Sequence, residues 1–418
     1  MTTSHIHTLP KKGLPRENVL RRIEEFRAQD PAFDRQGQMT AYCMMGSHEL
    51  QSILQAAYGT YFFQNALLRR FMPGMREMEE QVRQIAASLL SGGAPGVRVQ
   101  LTSGGSESLL CGLHAAREWG REHYPRITEP EVIAPFSAHA TISKACHYLG
   151  LKLTRVPVGP DYLADVKALE AAIGPNTIAL VGSAPSWPYG KIDPIERIAA
   201  LGKRRNLWVH VDACVGGYIA PFVARLGYHV AAWDFSVPGV TSISADLHKY
   251  AYAPKPASTI AFASEELLKY HHVPASDWPS ATYLTEGVIG SRPAGVLAAT
   301  WAVLHYLGDE GFLDYARRTM EGKERLLEGL RKLGMKPWET DLCIVLYETG
   351  DLPAETLVGA LTEAGWPCMG TQRPPMVQLI LDPLAAETVE QYLADLQRIL
   401  ESLRAGSGAR KGDLGYAD

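Results

Sequence analysis

The sequence lacks the features of a secreted or membrane-spanning protein. Its six cysteines lie far apart and form no Cys-x-x-Cys pair, which argues against a disulfide framework and indicates reduced thiols. Residues 1–15 are polar and hold no apolar core of signal-peptide type. The longest apolar stretch, residues 294–307, is interrupted by Thr300 and His305 and is too short to span a bilayer. We therefore expect a cytoplasmic protein without a membrane anchor.

Strong charge of one sign and metal-ligand spacing are missing as well. The formal net charge is −4 and the basic residues are dispersed, so nothing favours a nucleic acid or an acidic membrane as partner. The thirteen histidines include His271 with His272 and His139 with His147, but neither pair has a carboxylate or thiol at ligand spacing. We expect no metal site.

The sequence shows a regular alternation of strand and helix patterns. With 418 residues, 46 % of them hydrophobic, the chain is long enough for a sizeable core. Short β-rich runs occupy residues 97–101, 131–134, 153–158, 177–182, 207–211, 240–245 and 258–263. Helical spacing occurs between them at residues 106–120, 138–149, 162–173 and 193–205. The alternation predicts an α/β fold with a mostly parallel sheet covered on both faces.

The same patterns predict how the chain is divided. A long helical stretch, residues 292–333, leads out of the sheet domain towards further strand and helix patterns. The last residues are rich in glycine and charge, which predicts a disordered tail. The predicted parts are an N-terminal segment, a large domain, a small C-terminal α/β domain and the tail, at residues 1–60, 61–300, 301–405 and 406–418.

Three features near strand ends indicate one cofactor. Lys249 ends the segment Ser-Ile-Ser-Ala-Asp-Leu-His-Lys, residues 242–249, between two apolar strands. Asp212 follows the apolar run 207–211, and Ser-Gly-Gly-Ser at residues 103–106 separates a strand from a helix. Alone, such a lysine is more often a surface charge, and such a serine is more often an ordinary helix cap. Together they supply a Schiff-base lysine, a partner for a pyridinium nitrogen and a phosphate-binding helix start. This combination predicts a pyridoxal 5'-phosphate (PLP) enzyme.

Longer segments around these residues resemble a known family. His-Val-Asp-Ala-Cys-Val-Gly-Gly at residues 210–217 is similar to a segment of the sphingosine-1-phosphate lyases, a branch of the group II PLP-dependent decarboxylase family. The segments 181–196, 238–255 and 290–292 resemble the same branch. The resemblance implies PLP fold type I, the aspartate-aminotransferase-like fold, with a large mostly parallel-sheet domain and a small C-terminal α/β domain. It also implies a homodimer with composite active sites.

The resemblance assigns roles around the cofactor. It implies that Gly105, Ser106 and His248 contact the cofactor phosphate, and that Ser291 does so from the partner subunit. Asp212 can keep the pyridine nitrogen protonated. Because a charge at the end of a buried strand is costly unless it is paired, Asp212 is expected to have such a partner.

Three further residues are candidates for catalysis. The resemblance implies that His139 stacks on the cofactor ring and that Lys255 lies in the active site. Tyr189 follows a strand in a Pro-Tyr-Gly turn, and its phenol could relay a proton. Taken alone, His139 is more often a core or capping residue, and Tyr189 is as often a loop aromatic.

One segment departs from the family pattern. The stretch beginning at Asn65 resembles the one that helps the lyases to hold the substrate phosphate across the dimer, and a tyrosine upstream aligns with Tyr42. Where relatives carry a histidine this chain has Leu68, which cannot donate a hydrogen bond. Either Arg69 and Arg70 replace that function or the substrate carries no phosphate. The alternative for this arginine pair is a solvated helix face.

The cofactor leaves the reaction open, because substrate anchoring decides which bond at Cα breaks. Cleavage of Cα–Cβ in a β-hydroxy amine gives an aldehyde by retro-aldol, with Tyr189, Lys255 or His139 as the base. The lyase-like segment around Lys249 favours this reaction on a phosphorylated or otherwise amphiphilic amine such as a phosphorylated sphingoid base. The alternative is an amino-acid decarboxylase. A non-catalytic binding protein is a third possibility, against which the retention of Lys249, Asp212 and Gly105 argues.

Overall fold

The computed structural model describes Leu9 and residues 11–30, 44–280, 282–285, 287–406, 411, 412 and 414. Tyr42, which aligns with a family tyrosine, lies outside these residues. Ahead of the first strand, the described chain forms a 3-10 turn, Ala66–Phe71, and three helices, Arg16–Arg27, His48–Thr60 and Pro73–Leu90.

A seven-stranded sheet forms the centre of the fold. Its strands are β1 (Arg98–Thr102), β2 (Glu131–Pro135), β3 (Lys152–Val156), β4 (Thr177–Ser183), β5 (Trp208–Asp212), β6 (Ser242–Ala245) and β7 (Ser258–Phe262). Their order in the sheet is β1-β7-β6-β5-β4-β2-β3. Only β7 runs antiparallel to its neighbours, and the other pairs are parallel. All seven predicted strands are therefore confirmed, as is the mostly parallel α/β sheet.

Helices connect the strands and bury one apolar face each. The helix Ile195–Arg205 places Ile195, Ile198 and Leu201 at helical spacing, and all three are buried. It ends at Asn206, whose left-handed backbone (φ 50°) breaks the helical hydrogen-bond pattern. The other helices between the strands are Gly105–His123, Thr141–Leu149, Val166–Ala172 and Ala220–Arg225, with the short helix Glu265–Leu268 and the 3-10 turn Lys269–His271 after β7.

A long helix, Ala294–Lys332, leads from this sheet to a second one. It is interrupted at Gly308, whose backbone is non-helical (φ 54°, ψ −170°). Its first half buries apolar residues such as Val296 and Val303 against the early helices. Among the described helices none combines the length and the apolarity that crossing a membrane requires.

The second sheet is antiparallel and has four strands in the order β10-β11-β9-β8. These strands are β8 (Lys336–Pro337), β9 (Ile344–Glu348), β10 (Met369–Gln372) and β11 (Pro375–Ile380). The helices Ala354–Glu363, Pro383–Glu387 and Val389–Arg404 accompany it. Near the C-terminus, the Gly412 amide donates to the Glu355 carbonyl at 2.7 Å. The predicted boundaries between the N-terminal segment, the two domains and the tail stay predictions.

Candidate active site

Several strands end at one edge of the seven-stranded sheet and deliver polar residues there. Because β1, β5 and β6 run in the same direction, their carboxyl ends at Thr102, Asp212 and Ala245 meet at that edge. A cavity of about 350 Å³ opens beside it. Its lining brings together most of the predicted cofactor residues, namely Gly105, Ser106, His139, Asp212, His248 and Lys249. We call it the cofactor cavity.

The glycine-rich loop forms the start of a helix that faces this cavity. A Cβ atom on Gly105 would lie 2.9 Å from Cys214 Sγ and 3.0 Å from Asp246 Oδ2, so only glycine fits without a shift of these side chains. The helix Gly105–His123 begins here, and its first N–H groups have no partner within the helix. The Ser106 hydroxyl lies 3.3 Å from that of Thr141. These groups together suit a phosphate.

Glu107 joins this loop, through hydrogen bonds, to a segment that is distant in the sequence. Its carboxylate accepts hydrogen bonds from the Ser103 amide at 2.7 Å and from the Val288 and Ile289 amides at 2.5 and 3.4 Å. The side chain is 9 % exposed. No motif indicates a role for Glu107, because Val288 and Ile289 are remote from it in the sequence.

The Asp212 carboxylate is held at the end of β5 by hydrogen bonds. Its Oδ1 accepts from the Cys214 amide at 3.1 Å and from the Ser244 hydroxyl at 3.4 Å. The carboxylate is buried but lines the cofactor cavity. It can therefore pair with a protonated ring nitrogen inside that cavity.

Lys249 is paired with a second buried carboxylate. Its Nζ lies 3.0 Å from Asp246 Oδ2 and 5.9 Å from the centroid of the Trp187 ring. The Ser258 hydroxyl donates to Asp246 Oδ1 at 2.5 Å. Burial alone would raise the pKa of Asp246, but the charge of Lys249, the neighbouring His248 ring and these hydrogen bonds hold that pKa below its usual value. Asp246 is thus an ionised site residue. Although it lies in the lysine motif, no role was predicted for it.

Two histidines reach the cavity as neutral rings. His248 Nδ1 accepts from the Ala257 amide at 3.2 Å, which leaves the ring proton on Nε2, 3.6 Å from Asp246 Oδ2. His139 Nδ1 accepts from the Thr141 amide at 3.2 Å. Burial lowers the pKa of both rings. A neutral His139 suits stacking on a cofactor ring, and His248 can donate to a phosphate.

Tyr189 lies beside the cofactor cavity but does not line it. It is 3 % exposed, and its hydroxyl donates to the Arg373 carbonyl at 2.8 Å. Burial raises the pKa of this phenol. Lys255 is exposed. Its charge helps to lower the pKa of His248, so Lys255 lies near the cofactor cavity.

The remaining predicted residues lie together in another place. Asn65 Nδ2 donates to Ser291 Oγ at 2.9 Å, and neither residue lines the cofactor cavity of its own chain. Arg69 Nε lies 2.9 Å from the fully buried Glu79 carboxylate, which also pairs with Arg83 and Arg292. Arg70 is exposed, with its guanidinium over the Phe71 ring. The roles predicted for all these site residues stay predictions.

Comparison with known proteins identifies the family. The model of the pyridoxal-dependent decarboxylase conserved domain matches residues 27–340. The chain belongs to this family. It is 35 % identical to the sphingosine-1-phosphate lyase of Arabidopsis thaliana over 97 % of this chain and 76 % of that protein. It is 33 % identical to sphingosine-1-phosphate lyase 1 of Rattus norvegicus over 98 % and 72 %.

A solved structure agrees with these sequence relatives. The sphingosine-1-phosphate lyase of Burkholderia pseudomallei superposes with a TM-score of 0.89 at 31 % identity, covering 96 % of this chain and 94 % of that one. The predicted family resemblance, fold class and PLP cofactor are thereby confirmed, and the chain is a PLP-dependent enzyme.

The cofactor cavity fits pyridoxal phosphate. The helix start at Gly105, with Ser106 and His248, would hold the phosphate, and glycine at position 105 adds no side chain to this crowded place. Asp212 would face the pyridine nitrogen, and Lys249 offers the amine for covalent attachment.

Proposed function

We propose that this enzyme cleaves the Cα–Cβ bond of a phosphorylated β-hydroxy amine, such as a phosphorylated sphingoid base, to an aldehyde and a phosphorylated amine. The observation that carries the proposal is the superposition on a sphingosine-1-phosphate lyase over nearly the whole chain. Similarity to lyases from a plant and a mammal over nearly all of this chain supports it.

The reaction balances as a retro-aldol cleavage. The β-hydroxyl gives its proton to a base, its C–O bond becomes the aldehyde carbonyl, and the Cα–Cβ electron pair stays on Cα, which later takes up a proton. Bound pyridoxal phosphate supplies the electron sink for that pair. Asp212 would keep the ring nitrogen charged, and His139 would cover the ring face.

Three residues are proposed for the proton transfers. His139 is neutral because burial lowers its pKa, so it can accept the hydroxyl proton. Tyr189 keeps its proton because burial raises its pKa, so it can donate once its hydroxyl leaves the Arg373 carbonyl. Lys255 would act from the edge of the cavity.

Product analysis tests this proposal. Incubation of wild type with a phosphorylated long-chain base should release a long-chain aldehyde, detected by mass spectrometry after trapping. A panel of amino acids serves as the comparison. Carbon dioxide from an amino acid, with no aldehyde from the base, would contradict the proposal.

A decarboxylase is the second candidate for one reason. The chain is 32 % identical to a probable L-aspartate decarboxylase of Pyrococcus abyssi over 94 % of this chain and 99 % of that protein. The same cofactor cavity would serve both reactions, so the outcome depends on which group of the substrate is anchored.

We also propose a cytoplasmic homodimer with composite active sites. Support comes from Asn65 and Ser291, which contact each other but do not line the cofactor cavity of their own chain. Mixing inactive Lys249→Ala subunits with inactive Ser291→Trp subunits should restore part of the activity, because some heterodimers then hold one intact site. An active monomer in sedimentation would contradict this arrangement.

A further inference from the structure

A second cavity shares the lining residue Trp187 with the cofactor cavity. We call it the outer cavity. It measures about 540 Å³ and lies between the turn that carries Trp187 and Tyr189 and the loop joining β10 to β11. The Lys249 amine lies 5.9 Å from the Trp187 ring. The outer cavity is therefore next to the place where a substrate amine would react with Lys249.

The wall of the outer cavity is fixed by the second sheet. The Tyr189 hydroxyl donates to the Arg373 carbonyl at 2.8 Å, and Gln378 Nε2 donates to the Trp187 carbonyl at 2.7 Å. Behind Tyr189, the Tyr162 ring packs at a centroid distance of 4.9 Å. These contacts hold both aromatic side chains in place, so the cavity has a defined shape.

Arg373 is the single charged side chain among the described residues that line the outer cavity. It is exposed, and its guanidinium lies 5.8 Å from the centroid of the Phe136 ring. Arg69, by comparison, lies 2.9 Å from the buried Glu79 carboxylate. Among the described residues of this lining there is no carboxylate to pair with Arg373. An arginine stacked on an aromatic ring in such a cavity suits recognition of an anion, since its fork of N–H groups matches phosphate and carboxylate oxygens.

We propose that Arg373 binds the anionic group of the substrate and so selects phosphorylated amines over neutral ones. The inference rests on the proposed function, whose substrate carries a phosphate. On this inference, a residue of the same chain as the reacting Lys249 contributes to binding the substrate phosphate.

The test separates the phosphate from the rest of the substrate. Arg373→Met keeps the backbone carbonyl that holds Tyr189. We expect it to raise KM for a phosphorylated long-chain base by about tenfold to a hundredfold, because the substrate phosphate loses one hydrogen bond to a charged group. KM for the unphosphorylated base should not change, and inorganic phosphate should inhibit the variant more weakly than wild type. Arg373→Lys should recover part of the affinity.

A matched control is Arg126→Met, because Arg126 is exposed and lines neither cavity. Unchanged cofactor absorbance in every variant excludes misfolding as the cause. An equal effect on both bases, or no effect on either, would overturn the inference while leaving the proposed lyase reaction intact.

If wild type decarboxylates amino acids instead, the lyase proposal fails separately. Arg373→Met is then compared on a dicarboxylic amino acid and its monocarboxylic analogue. A selective loss on the dicarboxylic acid would support anion binding by Arg373, and equal kinetics would overturn it.

Discussion

The cofactor cavity and the outer cavity share Trp187 but differ in how their charges are held. In the cofactor cavity, Asp212 and Asp246 are buried, and Lys249 lies 3.0 Å from Asp246. The outer cavity is lined by uncharged residues, three of them aromatic, and has Arg373 as its one charged side chain among the described lining residues. The difference indicates that the two sheets have different functions. Residues at the strand ends of the main sheet bind the cofactor and catalyse the reaction, and the second sheet contributes to substrate selection.

The largest expected effect comes from removing the amine in the cofactor cavity. Lys249→Ala should keep the fold but lose the yellow cofactor absorbance and all turnover, because no other residue can exchange the cofactor with the substrate amine. Absorbance and activity assays on the purified variant check this. Residual turnover with an intact absorbance band would show that the two cavities have been assigned the wrong roles.

A second prediction asks whether another region also holds the substrate anion. If Arg69 and Arg70 reach the site across a dimer, replacing both with Ala should raise KM for a phosphorylated base by about tenfold to a thousandfold, with the cofactor absorbance unchanged. Thermal unfolding serves as the control, because Arg69 also pairs with Glu79. Wild-type kinetics in the double variant would show that the pair does not bind the substrate anion and would leave Arg373 as the proposed anion contact.

The smallest expected effect concerns the stability of the sheet beneath the cofactor cavity. His210 is fully buried, with Nδ1 2.8 Å from the Ser242 hydroxyl, and burial lowers its pKa to about 4. The unfolded chain, with a histidine pKa of about 6.5, binds a proton that the folded chain rejects. The free energy of unfolding should therefore fall by about 2 kcal/mol between pH 7 and pH 5 through this residue.

Urea unfolding of wild type and His210→Gln at the two pH values measures this contribution. The variant should show a smaller loss of stability on acidification than wild type. An identical loss in both proteins would show that His210 does not titrate in this way.

The two cavities also differ in how far the sequence predicts them. Asp212 and Lys249 stand in local motifs at strand ends, and the periodic patterns predicted every strand of the main sheet. Glu107 and Arg373 carried no such signal, because their side chains contact Val288 and Phe136, which are far away in the chain. Strands and helices can be predicted from local periodicity. The contact between the turn that carries Tyr189 and the second sheet cannot, because it depends on packing between segments far apart in the chain.

If the cofactor cavity holds pyridoxal phosphate on Lys249, the point of covalent attachment can be located chemically. Borohydride reduction of the purified enzyme fixes the cofactor to its lysine, and peptide mapping by mass spectrometry then locates it. We predict a single adduct on Lys249 in the peptide that contains His248. An adduct on Lys255 or Lys269 in its place would contradict attachment at Lys249.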